Sequence, residues 1–293
     1  MRLLIDTDTA SDDAVALLMA LRHPGVTVDA ITVVSGNVPV EQGVQNALYT
    51  VELAGADAPV YAGSSGTQVH AHDVHGQDGM GDIGLDVRGR RAAAGDAVEV
   101  LVETIRANPG DLTLVTLGPL TNVAAAFEHG VASLLRSVVV MGGTSDDVGN
   151  VTPVAEYNVW ADTAAAAAVF DSGAPITMVG WDVSRKHAVI PPALAEELRG
   201  LGPLAAFAVD IQRTLIEFCR TQTKLDGFDL PDPIAMAVAL DESVATDVRN
   251  ARVTVDRATG QTYVDETAPA NARVVVAASG ERFLALLRDA LRS

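Results

Sequence analysis

The chain has 293 residues, 20 of them basic and 38 acidic, for a formal net charge of −18. That excess excludes a nucleic-acid footprint, which needs clustered Lys and Arg, and the single cysteine, Cys219, excludes an intramolecular disulfide or a multi-cysteine metal site. Hydrophobic residues make up 48%, yet no apolar stretch reaches the ~18 residues of a membrane helix and the N-terminal apolar run is cut at Asp6, so the reading is a cytoplasmic protein with no membrane partner.

RLLID (2–6) is a short buried strand, and DDAVALLMALRHPG carries helical spacing as far as Pro24 and Gly25. VTVDAITVVSG (26–36) is strand-like, VEQGVQNALYTVELAG (40–55) helical, and PVYAG (59–63) a third strand. Residues 64–92 show no period; a loop of that length holding His70, His72 and His75 reads as functional. The alternation then resumes with helix 96–110, strand 112–118, helix 121–130, strand 137–143, helix 162–173 and strand 175–181. Such alternation means βαβ units, hence an α/β fold with an open, mainly parallel central sheet and helices on both faces. After 190 come three helical segments (191–202, 204–221, 232–243), a hairpin (252–265) and a closing helix (281–293). No linker or repeat interrupts the chain, so 1–293 reads as a single catalytic domain with extra helices in its C-terminal part.

Asp6, Asp8, Asp12 and Asp13 crowd between the first strand and the first helix. Like charges resist joint burial unless a cation sits among them. One of Asp12 and Asp13 is explained as the helix N-cap, but capping does not explain four carboxylates. Hard oxygen ligands converging at the carboxyl end of a strand suit Ca²⁺ or Mg²⁺. A D-x-D after a first strand also opens the haloacid-dehalogenase-type phosphotransferases, with Asp6 as the nucleophile. Here Ala10 stands where that motif has Thr or Val, and Lys186 and Lys224, the two lysines, sit in no phosphate-binding context.

The longer pattern DTDTASDDAVAL (6–17) resembles the D-x-D-x-x-x-D-D signature of the inosine–uridine-type nucleoside hydrolases. The resemblance continues in order through TVVSGNVPVEQGVQNAL, HGQDGMGD, LGPLTNVA, VVVMGG, GNVTPVAEYNVWAD and LPDPIAMAV, nearly the whole chain. It implies hydrolysis of a ribonucleoside to ribose and free base by attack of a metal-activated water on C1′. It implies a Ca²⁺ held by Asp8, Asp13, the carbonyl of Leu117 and Asp232, with Asp8 also the general base. Asp12, Asn37, Asn150, Glu156 and Asn158 would hold the ribose, Asp6 would support the site from behind, and the chain would form a homo-oligomer, dimer or tetramer.

One departure concerns the leaving base. Many members carry a His directly before the late metal-binding Asp; here that residue is Pro231, which has no proton to give. His75 is the candidate to face the base in its place, and Phe228 and Trp181 are candidates to stack on it. The spacing His70-x-His72-x-x-His75 also fits a transition-metal site, although an oxygen site accounts for more residues. GMGDIG (79–84) meets a dinucleotide-binding spacing but lacks its strand–turn–helix setting. Outside the enzymes, a nucleoside- or ribose-binding protein that has lost turnover is the alternative.

Overall fold

The computed structural model describes residues 1–66, 70–223 and 225–292, so Lys224 and residues 67–69, near the start of the 64–92 stretch, lie outside the described residues. The strands are β1 (Arg2–Thr7), β2 (Thr27–Val33), β3 (Val60–Ala62), β4 (Leu112–Thr116), β5 (Ser137–Met141) and β6 (Ile176–Val179). The short pair β7 (Val189–Ile190) and β8 (Phe228–Asp229) follows, then β9 (Ala245–Val255), β10 (Thr262–Asp265) and β11 (Ala272–Ala278). Nine of them form one sheet in the order β10-β9-β11-β6-β5-β4-β1-β2-β3. Its strands are parallel from β3 to β11, and β9 runs antiparallel to both its neighbours, β11 and β10. The open, mainly parallel sheet read from the sequence is thus present.

The strands read as continuous apolar runs because both faces are covered. Leu3 and Ile5 of β1 belong to the core cluster shared with helices Ser11–Leu21 and Pro231–Leu240, whereas Leu4 between them belongs to the opposite cluster with Leu101, Ile105 and Phe170. This is the period-2 alternation of a strand with a helical layer on each side. Helix Ser11–Leu21 is buried from Ser11 to Ala20, and helix Pro231–Leu240 is buried nearly throughout. Beyond their acidic first turns both are apolar all round, as helices enclosed between layers must be.

The chain runs from β1 to β2 and β3 on one side and from β4 to β5 and β6 on the other. The direction of winding therefore reverses between β1 and β4, which are hydrogen-bonded neighbours. Crevices at the carboxyl ends of strands beside such a reversal are where open α/β sheets bind ligands. Thr7, Val33, Thr116 and Met141, the last residues of four strands, open onto that edge.

Several elements differ from the sequence reading. The apolar run 175–181 ends as a strand at Val179, and Trp181 opens helix Trp181–His187. The expected helix 204–221 is three pieces, Pro203–Asp210, Arg213–Phe218 and a π turn Cys219–Thr223. The break falls at Gln212, whose side-chain amide is turned inward onto Ser11 O and Ala208 O. β11 was not foreseen. Among the described residues no helix is long and apolar enough to cross a membrane.

Candidate active site

Between β1 and helix Ser11–Leu21 the chain turns through Asp8, Thr9 and Ala10. Thr9 has φ 40°, in the left-handed region, a conformation that costs a non-glycine residue about 1–3 kcal/mol. The turn is held against that cost by the Thr9 N–H to Thr7 Oγ1 bond (3.0 Å) and by Asn46 Nδ2 donating to Thr9 O (3.0 Å). The N-cap residue is Ala10 rather than either aspartate. Asp13, in the first turn, reaches back so that Oδ2 accepts the Ala10 N–H (2.9 Å) and Oδ1 accepts from Thr7 Oγ1.

Asp8 stands in a sheath of glycines. A Cβ on Gly36 would meet Asp8 Oδ2 at 2.0 Å, one on Gly43 would meet Asp8 O at 2.8 Å, and one on Gly118 would meet Asp8 N at 2.9 Å. Asp8 Oδ2 accepts the backbone N–H of Asn37, while Asp8 Oδ1 is buried with no hydrogen-bond partner. Asp6, one residue inside the strand, is tied to Thr32 Oγ1 (2.6 Å) and Asn122 Nδ2 (2.9 Å). Burial pushes its carboxyl up to about 7.

Asp12, Asp13 and Asp232 bring carboxylate oxygens within 4.8 Å of one another. They come from the first turns of the two enclosed helices, whose positive dipole ends both point at the cluster and offset part of its charge. That offset is small beside the desolvation of four carboxylates. Burial and then the charge of Asp13 push Asp8 well above the usual carboxylate range; burial and then Asp12 push Asp232 well above it and raise Asp13; burial pushes Asp12 up to about 7. Among the described residues no Lys or Arg pairs with any of them. The nearest basic atom is His75 Nδ1, 3.7 Å from Asp12 Oδ1, and burial holds that imidazole down at about 4. Asp12 Oδ1, like Asp8 Oδ1, has no partner. Buried acidic oxygens without a counter-charge are the donor set of a hard divalent cation, so these residues fit a metal ion. The Leu117 carbonyl, just beyond β4, is in the same neighbourhood and accepts from Asn158 Nδ2 (2.9 Å).

Above the cluster lies a cavity of about 370 Å³ lined by Asp12, Asn37, His75, Asn150, Tyr157 and Trp181, with Leu215, Phe218 and Cys219 as an apolar wall. Asn150 Oδ1 accepts the Tyr157 N–H (2.8 Å). Glu156 is the N-cap of helix Tyr157–Ala161 and accepts N–H bonds from Asn158 (2.9 Å), Val159 (3.1 Å) and Gly143 (2.8 Å). Its carboxylate thus fixes the loop and retains a free lone pair on Oε1; burial pushes it up to about 7.

Phe228 does not reach the cavity. It is 3% exposed, paired with Ile190 in the β7–β8 ribbon and packed in the core. The stacking expected of it is therefore corrected: in a β ribbon neighbouring side chains point to opposite faces, and it is Asp229 that lines the cavity. Sequence reasoning missed Asp229, whose Oδ2 accepts from Ser184 Oγ (2.7 Å) and whose carboxyl burial pushes up. It also missed Ser11 and Gln212, hydrogen-bonded behind His75. Pro231 is the first residue of helix Pro231–Leu240, where the lost N–H has no partner to lose.

The family model described as inosine-uridine preferring nucleoside hydrolase matches residues 3–285. The chain belongs to that family. It is 31% identical to the pyrimidine-specific ribonucleoside hydrolase RihB of Escherichia coli (strain SE11), over 99% of this chain and 97% of the relative. Its structure superposes on that of a plant nucleoside hydrolase, PpNRh1, with a TM-score of 0.92 at 30% identity, covering 100% of this chain and 99% of the other. It superposes on a purine-preferring ribonucleoside hydrolase from Gardnerella vaginalis with a TM-score of 0.91 at 31% identity, covering 99% and 98%. This nucleoside hydrolase is thus an enzyme acting on ribonucleosides, and neither the phosphotransferase nor the binding-protein alternative is favoured.

Proposed function

We propose that this nucleoside hydrolase cleaves the N-glycosidic bond of ribonucleosides with a Ca²⁺ held by Asp8, Asp13, Asp232 and the Leu117 carbonyl. The observation that carries the reading is the pair of orphaned oxygens, Asp8 Oδ1 and Asp12 Oδ1, among four buried carboxylates, of which Asp12 lines a cavity of about 370 Å³. When bound, the cation supplies the positive charge that keeps these carboxylates ionised and acidifies a water molecule beside them.

Asp8 is the general base, because Oδ2 is engaged by the Asn37 N–H and Oδ1 is the atom left to take a proton. Water gives a proton to Asp8 as its oxygen bonds to C1′, and the C1′–N bond breaks with its electron pair leaving on the base nitrogen, which takes up a proton on release. Charge builds on the ribose ring in an oxocarbenium-like transition state, which the surrounding carboxylates stabilise. No carboxylate acts as nucleophile, so the configuration at C1′ inverts and a β-nucleoside yields α-ribose first. Asp12, Asn37 and Asn150, which line the cavity, and the buried Asn158 and Glu156 hold the sugar hydroxyls. Trp181 and Phe218, rather than Phe228, are the aromatic groups that meet the base.

A reducing-sugar assay over purine and pyrimidine nucleosides tests this reading, with early time points followed by NMR for the anomer. Ribose release with α-ribose appearing first is expected. Retention of binding without ribose release from any nucleoside would defeat it.

A further inference from the structure

His75 is held from behind by a chain of hydrogen bonds whose direction is fixed. Gln212 Nε2 donates to two backbone carbonyls, Ser11 O at 2.9 Å and Ala208 O at 3.3 Å. Both amide hydrogens are thereby used, and turning the amide over would set its oxygen against two carbonyl oxygens. Gln212 Oε1 must therefore accept, and its partner is Ser11 Oγ at 2.8 Å. A serine hydroxyl has one hydrogen. With that hydrogen on Gln212, the 2.9 Å contact between Ser11 Oγ and His75 Nδ1 needs its hydrogen from the ring. Asp12 Oδ1, 3.7 Å from Nδ1, favours a proton at the same place.

The neutral ring consequently carries hydrogen on Nδ1 and a lone pair on Nε2. The ring's contacts with the described residues, Ser11 Oγ and Asp12 Oδ1, are both made at Nδ1, and His75 lines the cavity. The short helix His72–His75 that carries the ring packs against helix Arg213–Phe218, which supplies Leu215 and Phe218 to the apolar wall. A flat base gains burial there, whereas the sugar hydroxyls have their own acceptors on the floor.

We infer that Ser11 and Gln212 are positioning residues that lock His75 as the Nδ1–H tautomer, so that His75 meets the nucleoside as an acceptor of a base N–H and not as the donor of a proton to the leaving base. The inference rests on the nucleoside-hydrolase reading for its ligand, but the tautomer is testable without turnover. The ring N–H of an oxo base such as uracil or hypoxanthine fits such an acceptor, and a methyl group on that nitrogen removes the donor.

Long-range ¹H–¹⁵N correlation of the histidine rings in the wild-type protein reads the tautomer directly, with the His75 signals assigned among the six histidines by their loss in His75→Phe. The expected spectrum has a pyrrole-type Nδ1 and a pyridine-type Nε2 for His75, becoming a mixture of tautomers in Ser11→Ala and in Gln212→Leu. An Nε2–H ring in the wild-type protein overturns the inference, even if the enzyme hydrolyses every nucleoside. Kinetics supply the second arm. Uridine should exceed 3-methyluridine, and inosine 1-methylinosine, by at least about ten-fold in kcat/KM, and the ratio should fall to roughly two-fold or less in His75→Phe. Equal turnover of methylated and unmethylated nucleosides by the wild-type enzyme would also overturn it.

Discussion

Gly36 and Asp8 occupy the same space: a Cβ on the glycine would stand 2.0 Å from Asp8 Oδ2. The Asn37 N–H that binds this oxygen follows directly in the chain, so the β2 turn both admits the carboxylate and aims it. Gly36→Ala is expected to turn the Asp8 side chain away and lower kcat/KM by about 10²-fold or more. Steady-state kinetics on a folded variant, verified by circular dichroism, check this; an unimpaired Gly36→Ala enzyme would contradict the placement of Asp8.

Asp8 also sets function against stability. Its burial beside Asp12 and Asp13 makes the ionised form unfavourable in the absence of a cation. Asp8→Asn is expected to lower kcat by about 10³-fold, within the range for loss of a general base. The same variant is expected to melt a few degrees higher than the wild-type protein in chelator at neutral pH, since about 1 kcal/mol corresponds to roughly 2–4 °C in a chain of this size. A lower melting temperature for Asp8→Asn in chelator would argue that Asp8 is not a buried charge in the folded protein.

The pH dependence of stability follows from the direction of the shifts. Asp6 and Glu156 titrate up near 7 in the folded chain, and Asp8, Asp13 and Asp232 are raised as well. The unfolded carboxylates titrate near ~4. Between these values the cation-free folded protein holds more protons than the unfolded one, so its stability falls as pH rises through that window. In chelator the melting temperature should drop between pH 5 and pH 7.5, and added Ca²⁺ should raise it more at the higher pH. A chelated protein that is equally stable at both pH values would contradict the shifts.

Two phenylalanines should behave oppositely. Phe218 lines the cavity and Phe228 is buried in the core against Ile190. Phe218→Ala is expected to raise KM for nucleosides by roughly five-fold, through loss of about 1 kcal/mol of stacking, with little change in melting. Phe228→Ala is expected to cost about 3–5 kcal/mol in denaturant unfolding, with base selectivity unchanged.

What was legible in the sequence was whatever short-range pattern encodes. The parallel sheet showed in apolar runs spaced by helices, and the acidic cluster showed because Asp8, Asp12 and Asp13 are near neighbours at a strand's end. Long-range partnerships were not legible. Ser11 meets Gln212 across 201 positions, and nothing in the local sequence of either residue signals the other. Phe228 and Asp229 are adjacent, so choosing which one faces the cavity needed the ribbon register with Val189 and Ile190. β11 is buried between β9 and β6 and carries no clean alternation to separate it from other apolar runs.

The central claim is that Asp8, Asp13 and Asp232, within a cluster of four buried carboxylates, hold a cation on which cleavage of the glycosidic bond depends. Ribose release from a nucleoside, measured on the exhaustively chelated enzyme and again after stoichiometric Ca²⁺ is restored, tests it most directly. The account predicts that release falls to background on chelation and returns with Ca²⁺. Release that continues undiminished in the chelated enzyme would contradict it.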